Sequence, residues 1–187
     1  MEPRKGTAPR DRKGSEREAP DPGEGKVVRG VRVRPARKDD LPALVGLLVR
    51  LKRLNGEFDP LLAVRPDAEE QALRVLSADL SNPNSLLLAA EATGADEGKV
   101  VGVLRATIRE RLFYVPEKEG VVLDIYLLPA HRRGGLGEYL VEEATRILKE
   151  RGAGVITVEF PSLNEIATRF YAKRGFRPIT SIHARSV

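Results

Sequence analysis

Val31-Arg32-Val33-Arg34 alternates apolar and charged residues, the two-residue period of a strand with one buried face. From residue 41 the period lengthens. Leu41, Leu44, Val45, Leu48 and Leu51 recur at spacings of three and four, which predicts a helix with one apolar face, capped by Asp39 or Asp40 and ended at Gly56. Asp67-Ala68-Glu69-Glu70 has the form of a capping box and opens a second helix through Leu73 and Leu76. Residues 85–92 read as a strand, 93–98 as a turn and 99–108 as the returning strand of a hairpin. After a polar connector comes the apolar run 121–128. The order then becomes β-α-β-α-β. Leu136, Leu140, Ala144, Ile147 and Leu148 form one face of a helix over 136–151 that Gly152 stops, and Glu142, Arg146 and Glu150 form its solvated face. A strand over 155–160, a helix over 164–174 and a last strand over 176–182 complete the pattern.

The hairpin makes the first half antiparallel, and the crossover helix makes strands 121–128 and 155–160 parallel. The expected fold is α/β: a mixed, mostly antiparallel central sheet with one parallel β-α-β crossover and helices on both faces. Residues 1–29 carry four Pro, four Gly, eight basic and six acidic residues, and almost nothing apolar before Val27. Such a segment cannot bury enough surface to offset its ordering entropy, so the expected division is a disordered tail over 1–29 and one domain over 30–187.

Composition narrows the class. Hydrophobic residues are 41% and charged residues 32%, as in a soluble globular chain, and no window approaches the ~18 apolar residues of a membrane span. No apolar stretch follows the basic N-terminus, so no secretory signal and a cytoplasmic location are expected. The absence of cysteine removes disulfides, thiol nucleophiles and thiolate-bound zinc. His131 and His183 are too few and too far apart for a histidine-rich site, so no metal is expected. The net charge of +5 comes from 32 basic and 27 acidic residues that are interspersed, which reads as a solvated surface and not as a nucleic-acid footprint.

The candidate chemistry begins at Arg132-Arg133-Gly134-Gly135-Leu136-Gly137, between a strand and a helix. Glycines let a phosphate approach the backbone, and a helix N-terminus presents unpaired N–H groups beside two guanidinium groups. Neither G-x-x-x-x-G-K-[ST] nor G-x-G-x-x-G occurs, so the loop is no P-loop and no dinucleotide fingerprint. Further on, Leu163, Ile166 and Phe170 share an apolar helical face, which makes Phe170 a core residue and turns Tyr171 off that face. Asp124 interrupts an apolar strand. A carboxylate there is either paired, with Arg105 as one partner, or used in proton transfer or ammonium binding. Glu57 and Asp59 form an acidic turn able to attract a cationic amine, and Phe113 and Tyr114 are either acceptor-cleft walls or core plugs.

The glycine-rich loop and the segment 164–176 together resemble the GNAT superfamily of N-acetyltransferases. The family's loop is [QR]-x-x-G-x-[GA] after a strand and a proline, met here by Pro129 and Arg132 to Gly137. Its later signature, N-x-x-A-x-x-[FL]-Y-x-x-x-G-F, is met at Asn164, Ala167, Phe170, Tyr171, Gly175 and Phe176. The resemblance covers residues 31–187. It implies acetyl-CoA as cosubstrate, with the pyrophosphate on the amides of Arg133, Gly134, Gly135, Leu136 and Gly137 and on the Arg132 and Arg133 side chains. It also implies pantetheine along Leu127 and Leu128, a contact from Asn164, and Tyr171 beside the sulfur as general acid. Many members place a glutamate where Asp124 stands. Asp is one methylene shorter, which favours proton removal through water. The implied activity is direct acetyl transfer to a primary amine, on a small molecule or a protein. The alternative is a non-catalytic CoA-binding sensor or interaction module of the same fold. A homodimer through a C-terminal edge strand is compatible with either.

Overall fold

The computed structural model describes residues 27–187. The segment expected as a tail lies, as far as residue 26, outside the described residues. Val27–Val28 (β1) pairs antiparallel with Val31–Pro35 (β2), so residues 27–29 belong to the first hairpin of the sheet and not to a tail.

Helices Leu41–Gly56 (α1) and Ala68–Ser81 (α2) follow, then strands Ser85–Ala92 (β3), Val100–Glu110 (β4) and Lys118–Leu127 (β5). Helix Leu136–Glu150 (α3), strand Val155–Val158 (β6) and helix Glu165–Ala172 (α4) complete the order. The six strands lie side by side in chain order, all antiparallel except β5 with β6. α1 and α2 cover one face of this mixed α/β sheet, burying Leu44, Leu48 and Leu76 against Leu87, Ala89 and Val103. α3 and α4 cover the other, burying Leu136, Leu140, Ala144 and Leu148 against Leu88, Leu104 and Val122. Each such leucine contributes about 1.5–3 kcal/mol by leaving water. No helix among the described residues is long and apolar enough to cross a membrane.

Four local expectations are corrected. Asp40 precedes α1 without capping it. Its carboxylate accepts from Arg34 at 2.8 and 2.9 Å and from the Arg37 amide at 2.7 Å, because Arg34 is buried and needs an anion. Asp67 likewise leaves α2 uncapped and accepts from Arg65 and Gln71 side chains, while Leu73 is exposed and Ala72 shares the inner face with Leu76. The strand expected over 176–182 does not form. Pro178 has no N–H to give a ladder, and Ile179 and Ile182 are exposed rather than alternating into a core. On α4 the buried face is not the expected one: Leu163 and Ile166 are exposed and Tyr171 is buried, while Phe170 packs half-buried against the core as expected.

Candidate active site

β5 makes the site possible by changing its frame midway. The Leu128 N–H donates to Val101 O at 2.9 Å, so by alternation Tyr126 and Asp124 also face β4, while Ile125 and Leu127 turn their N–H and C=O groups away from it. Earlier in the strand it is Val122 that faces β6, its carbonyl accepting from the Glu159 N–H at 3.0 Å. The change is made by a bulge: the register slips between Arg105 and Ala106, leaving Leu123 as an extra residue. Beyond Glu159 the neighbouring chain reaches Pro161, which has no N–H, and leaves toward α4. Ile125 and the Leu127 N–H therefore border an open edge, the Leu127 carbonyl being taken by Arg132 Nε. Leu128, expected to share this role, has its N–H on Val101 and its carbonyl taken by the His131 N–H.

The opening holds a cavity of about 80 Å³ whose walls include Asp124 and Ile125 from β5, Tyr171 from α4 and Asn164 at its N-cap, Asn55 from α1, and Glu159. Three residues singled out from the sequence, Asp124, Asn164 and Tyr171, thus meet in one place. The Asn164 carbonyl oxygen Oδ1 caps α4 by accepting from the Ala167 N–H at 3.0 Å, which leaves its NH2 group for the cavity. The Tyr171 ring stacks on Phe160 at 5.3 Å and meets Phe170 and Phe176 edge-on at 5.1 and 5.4 Å. Burial in this aromatic nest pushes its phenol up to about 12, and the nearby Asp124 charge acts in the same direction.

Asp124 is 1% exposed and fully engaged: Oδ1 accepts from Lys52 Nζ at 2.5 Å and Oδ2 from Arg105 Nη1 at 2.6 Å. Arg105 Nε in turn meets Asp79 at 2.6 Å. Burial alone would lower the Arg105 guanidinium; its bonds to Asp79 and Asp124 raise it above its ordinary value. The result is one buried and one half-buried anion with two cations, joining α1, α2, β4 and β5. Arg105 was legible as a partner. Lys52 was not singled out, although it continues the four-residue stripe of Leu44 and Leu48, and a lysine extending an apolar stripe is a usable signal.

Beyond the end of β5, residues 129–131 make one short 3-10 turn and Gly134 and Gly135 take φ of +99° and +85°, left-handed values that side chains disfavour. They deliver the chain to the first turn of α3, whose N–H groups have no partners within the helix. Arg133 is exposed there. Arg132 is exposed as well, but it is anchored: its Nε donates to Leu127 O at 2.9 Å and its guanidinium lies over the Tyr126 ring. Gly137 faces Leu127 and Phe170 at ordinary contact distance.

Four further residues stand apart. Glu57 and Asp59 do not line the cavity; Asp59 Oδ1 accepts from the Leu61 N–H at 2.8 Å. Phe113 and Tyr114 are exposed on the β4–β5 loop, where they border a separate hollow of about 440 Å³ formed by that loop itself. Among the described residues no group of three or more His, Cys, Asp or Glu side chains is placed to hold a metal ion.

A profile described as "Acetyltransferase (GNAT) family" matches residues 49–176. A streptothricin acetyltransferase of Streptomyces lavendulae is 38% identical over 53 residues, and that match takes in 28% of this chain and 28% of the relative. Among solved structures, an aminoglycoside 6'-N-acetyltransferase of Acinetobacter haemolyticus is 22% identical, with a TM-score of 0.64 over 83% of this chain and 97% of that one. A predicted acetyltransferase of Clostridium acetobutylicum, solved with acetyl-CoA, is 17% identical, with a TM-score of 0.67 over 83% of this chain and 96% of that one.

Proposed function

The chain belongs to the acetyltransferase (GNAT) family, and we propose from this that it moves an acetyl group from acetyl-CoA to a primary amine, directly in a ternary complex. The observation that carries the reading is the cavity at the open edge of β5, where Asp124, Asn164, Tyr171 and the outward-turned main chain of Ile125 converge. The glycine loop and the first turn of α3 take the pyrophosphate, with Arg133 as counter-charge. Pantetheine runs along the main chain at Leu127 and meets the Asn164 NH2 group. The thioester carbonyl then falls beside the Ile125 N–H, which stabilises negative charge as the amine adds.

An alkyl-ammonium, with a pKa of about 10, must lose a proton before it can attack. Asp124 is the acceptor of that proton. Because both its oxygens are engaged, the substrate reaches it by exchanging with half-exposed Lys52 or through a water molecule. Tyr171 keeps its own proton: a phenol near 12 does not yield it fully to a thiolate whose conjugate acid lies at about 8.5. Its part is to donate a hydrogen bond to the leaving sulfur, while the proton that neutralises the thiolate originates on the amine.

The test is release of free thiol from acetyl-CoA with a panel of acceptors. Streptothricin and an aminoglycoside come first, because proteins that acetylate them are similar to this one. Peptides bearing an α-amine or a lysine complete the panel. Acceptor-dependent release is the expected result. Binding of CoA with no release for any acceptor would assign the fold to a sensor instead.

A further inference from the structure

We infer that Arg29, on the first hairpin, is a ligand for the pyrophosphate of CoA. The inference rests on the reading that the glycine loop holds that group, and it adds a residue from outside the part of the chain that matches the family, which begins at residue 49. Arg29 and Gly30 are the two residues of the β1–β2 turn, with φ of 50° and 75°. Both are left-handed, a conformation that glycine or asparagine adopts readily and arginine does not.

The turn sets the Arg29 side chain against the glycine loop. A Cβ added at Gly134 would stand 2.6 Å from Arg29 Cδ and 2.7 Å from its Nη1, so only glycine at 134 admits the side chain where it lies. In this position the guanidinium makes no hydrogen bond or ion pair with any described residue. Of the two arginines within the loop motif, Arg132 is folded back onto Leu127 O. The cations at the loop that no hydrogen bond to the protein holds are therefore Arg133 and Arg29, from different elements. A guanidinium is a planar fork that meets two phosphate oxygens together, and beside unpaired helix amides it completes an anion cradle.

The test is titration calorimetry of the full chain and its Arg29→Gly variant with CoA and with dephospho-CoA, which keeps the pyrophosphate and lacks the ribose phosphate. Glycine suits φ of 50° better than arginine, so R29G preserves the turn while removing the cation. The expected result is CoA affinity weakened about tenfold, as one charge-assisted hydrogen bond supplies, by the same factor for dephospho-CoA, with a flatter salt dependence in the variant. R29K should recover part of the loss, through charge without the fork. Equal CoA affinity in parent and R29G overturns the inference alone. A loss confined to CoA overturns the assignment to the pyrophosphate. Failure of the parent to bind CoA overturns this inference and the proposed function together.

Discussion

Tyr171 shows how far a single residue can be read before the fold is known. Its place in a motif was legible, but its surroundings were not. Helical spacing put Phe170 inside and Tyr171 outside, whereas Phe160 and Phe176, brought in from other segments, form a nest that buries Tyr171. The raised phenol has two measurable results. Tyr171→Phe should lower kcat roughly 10- to 100-fold, the range of one hydrogen bond to a charged group, and leave acetyl-CoA affinity unchanged. The second result concerns alkaline stability. A phenol at about 12 in the fold and about 10 in the unfolded chain favours folding fully below pH ~10, and that contribution is lost between pH ~10 and ~12. Relative to the phenylalanine variant, the unfolding free energy from urea titrations should fall by roughly 3 kcal/mol at most as pH rises through this window. Asp124 is the harder case, because pairing and catalysis fall on one carboxylate. Asp124→Asn should cost about 3–5 kcal/mol by taking the one anion from Lys52 and leaving Arg105 with Asp79 alone. In the variant that remains folded, turnover should recover as pH rises toward the amine's own pKa; a pH–rate profile parallel to the parent's would leave Asp124 a purely structural residue.

At the scale of elements, what was legible is what depends on neighbours in sequence. The β3–β4 hairpin, the apolar face of α3 and the glycine entry to that helix are local patterns, and the structure has them where the pattern put them. What failed depends on neighbours in space. Residues 176–182 have strand-forming side chains but Pro178 among them, and the buried Arg34 drew Asp40 away from the helix end it was expected to cap. The bulge at Leu123 leaves no mark in the sequence at all, since it exists only relative to β4. The glycine entry makes its own prediction. Gly135 has open space around it but a φ of +85°, so Gly135→Val should cost on the order of 1–2 kcal/mol of stability and abolish CoA binding by distorting the first turn of α3. Thermal unfolding with and without CoA separates the two effects: the variant should unfold cooperatively and show no shift with ligand.

For the whole molecule the sheet is a partition. α1 and α2 face one core, α3 and α4 the other, and the ion network on Asp124 ties the first layer to the strand that borders the second. Removing residues 1–26 should leave the unfolding midpoint unchanged, since their sequence holds almost nothing apolar to bury, whereas removing 1–29 also takes β1 and Arg29 and should weaken CoA binding. In the intact chain, acetyl-CoA at about 100 times its Kd should add about 2.7 kcal/mol of stability. The frame change in β5 has a last consequence. A donor laid along Ile125 and Leu127 is read by peptide groups, which every residue carries, and not by side chains, which point above and below the sheet into packing. In the proposed arrangement the cosubstrate end of the reaction would tolerate sequence drift at Ile125 and Leu127, while α4 stays tied to the donor through Asn164 and Tyr171 and α1 is left to change for a new acceptor.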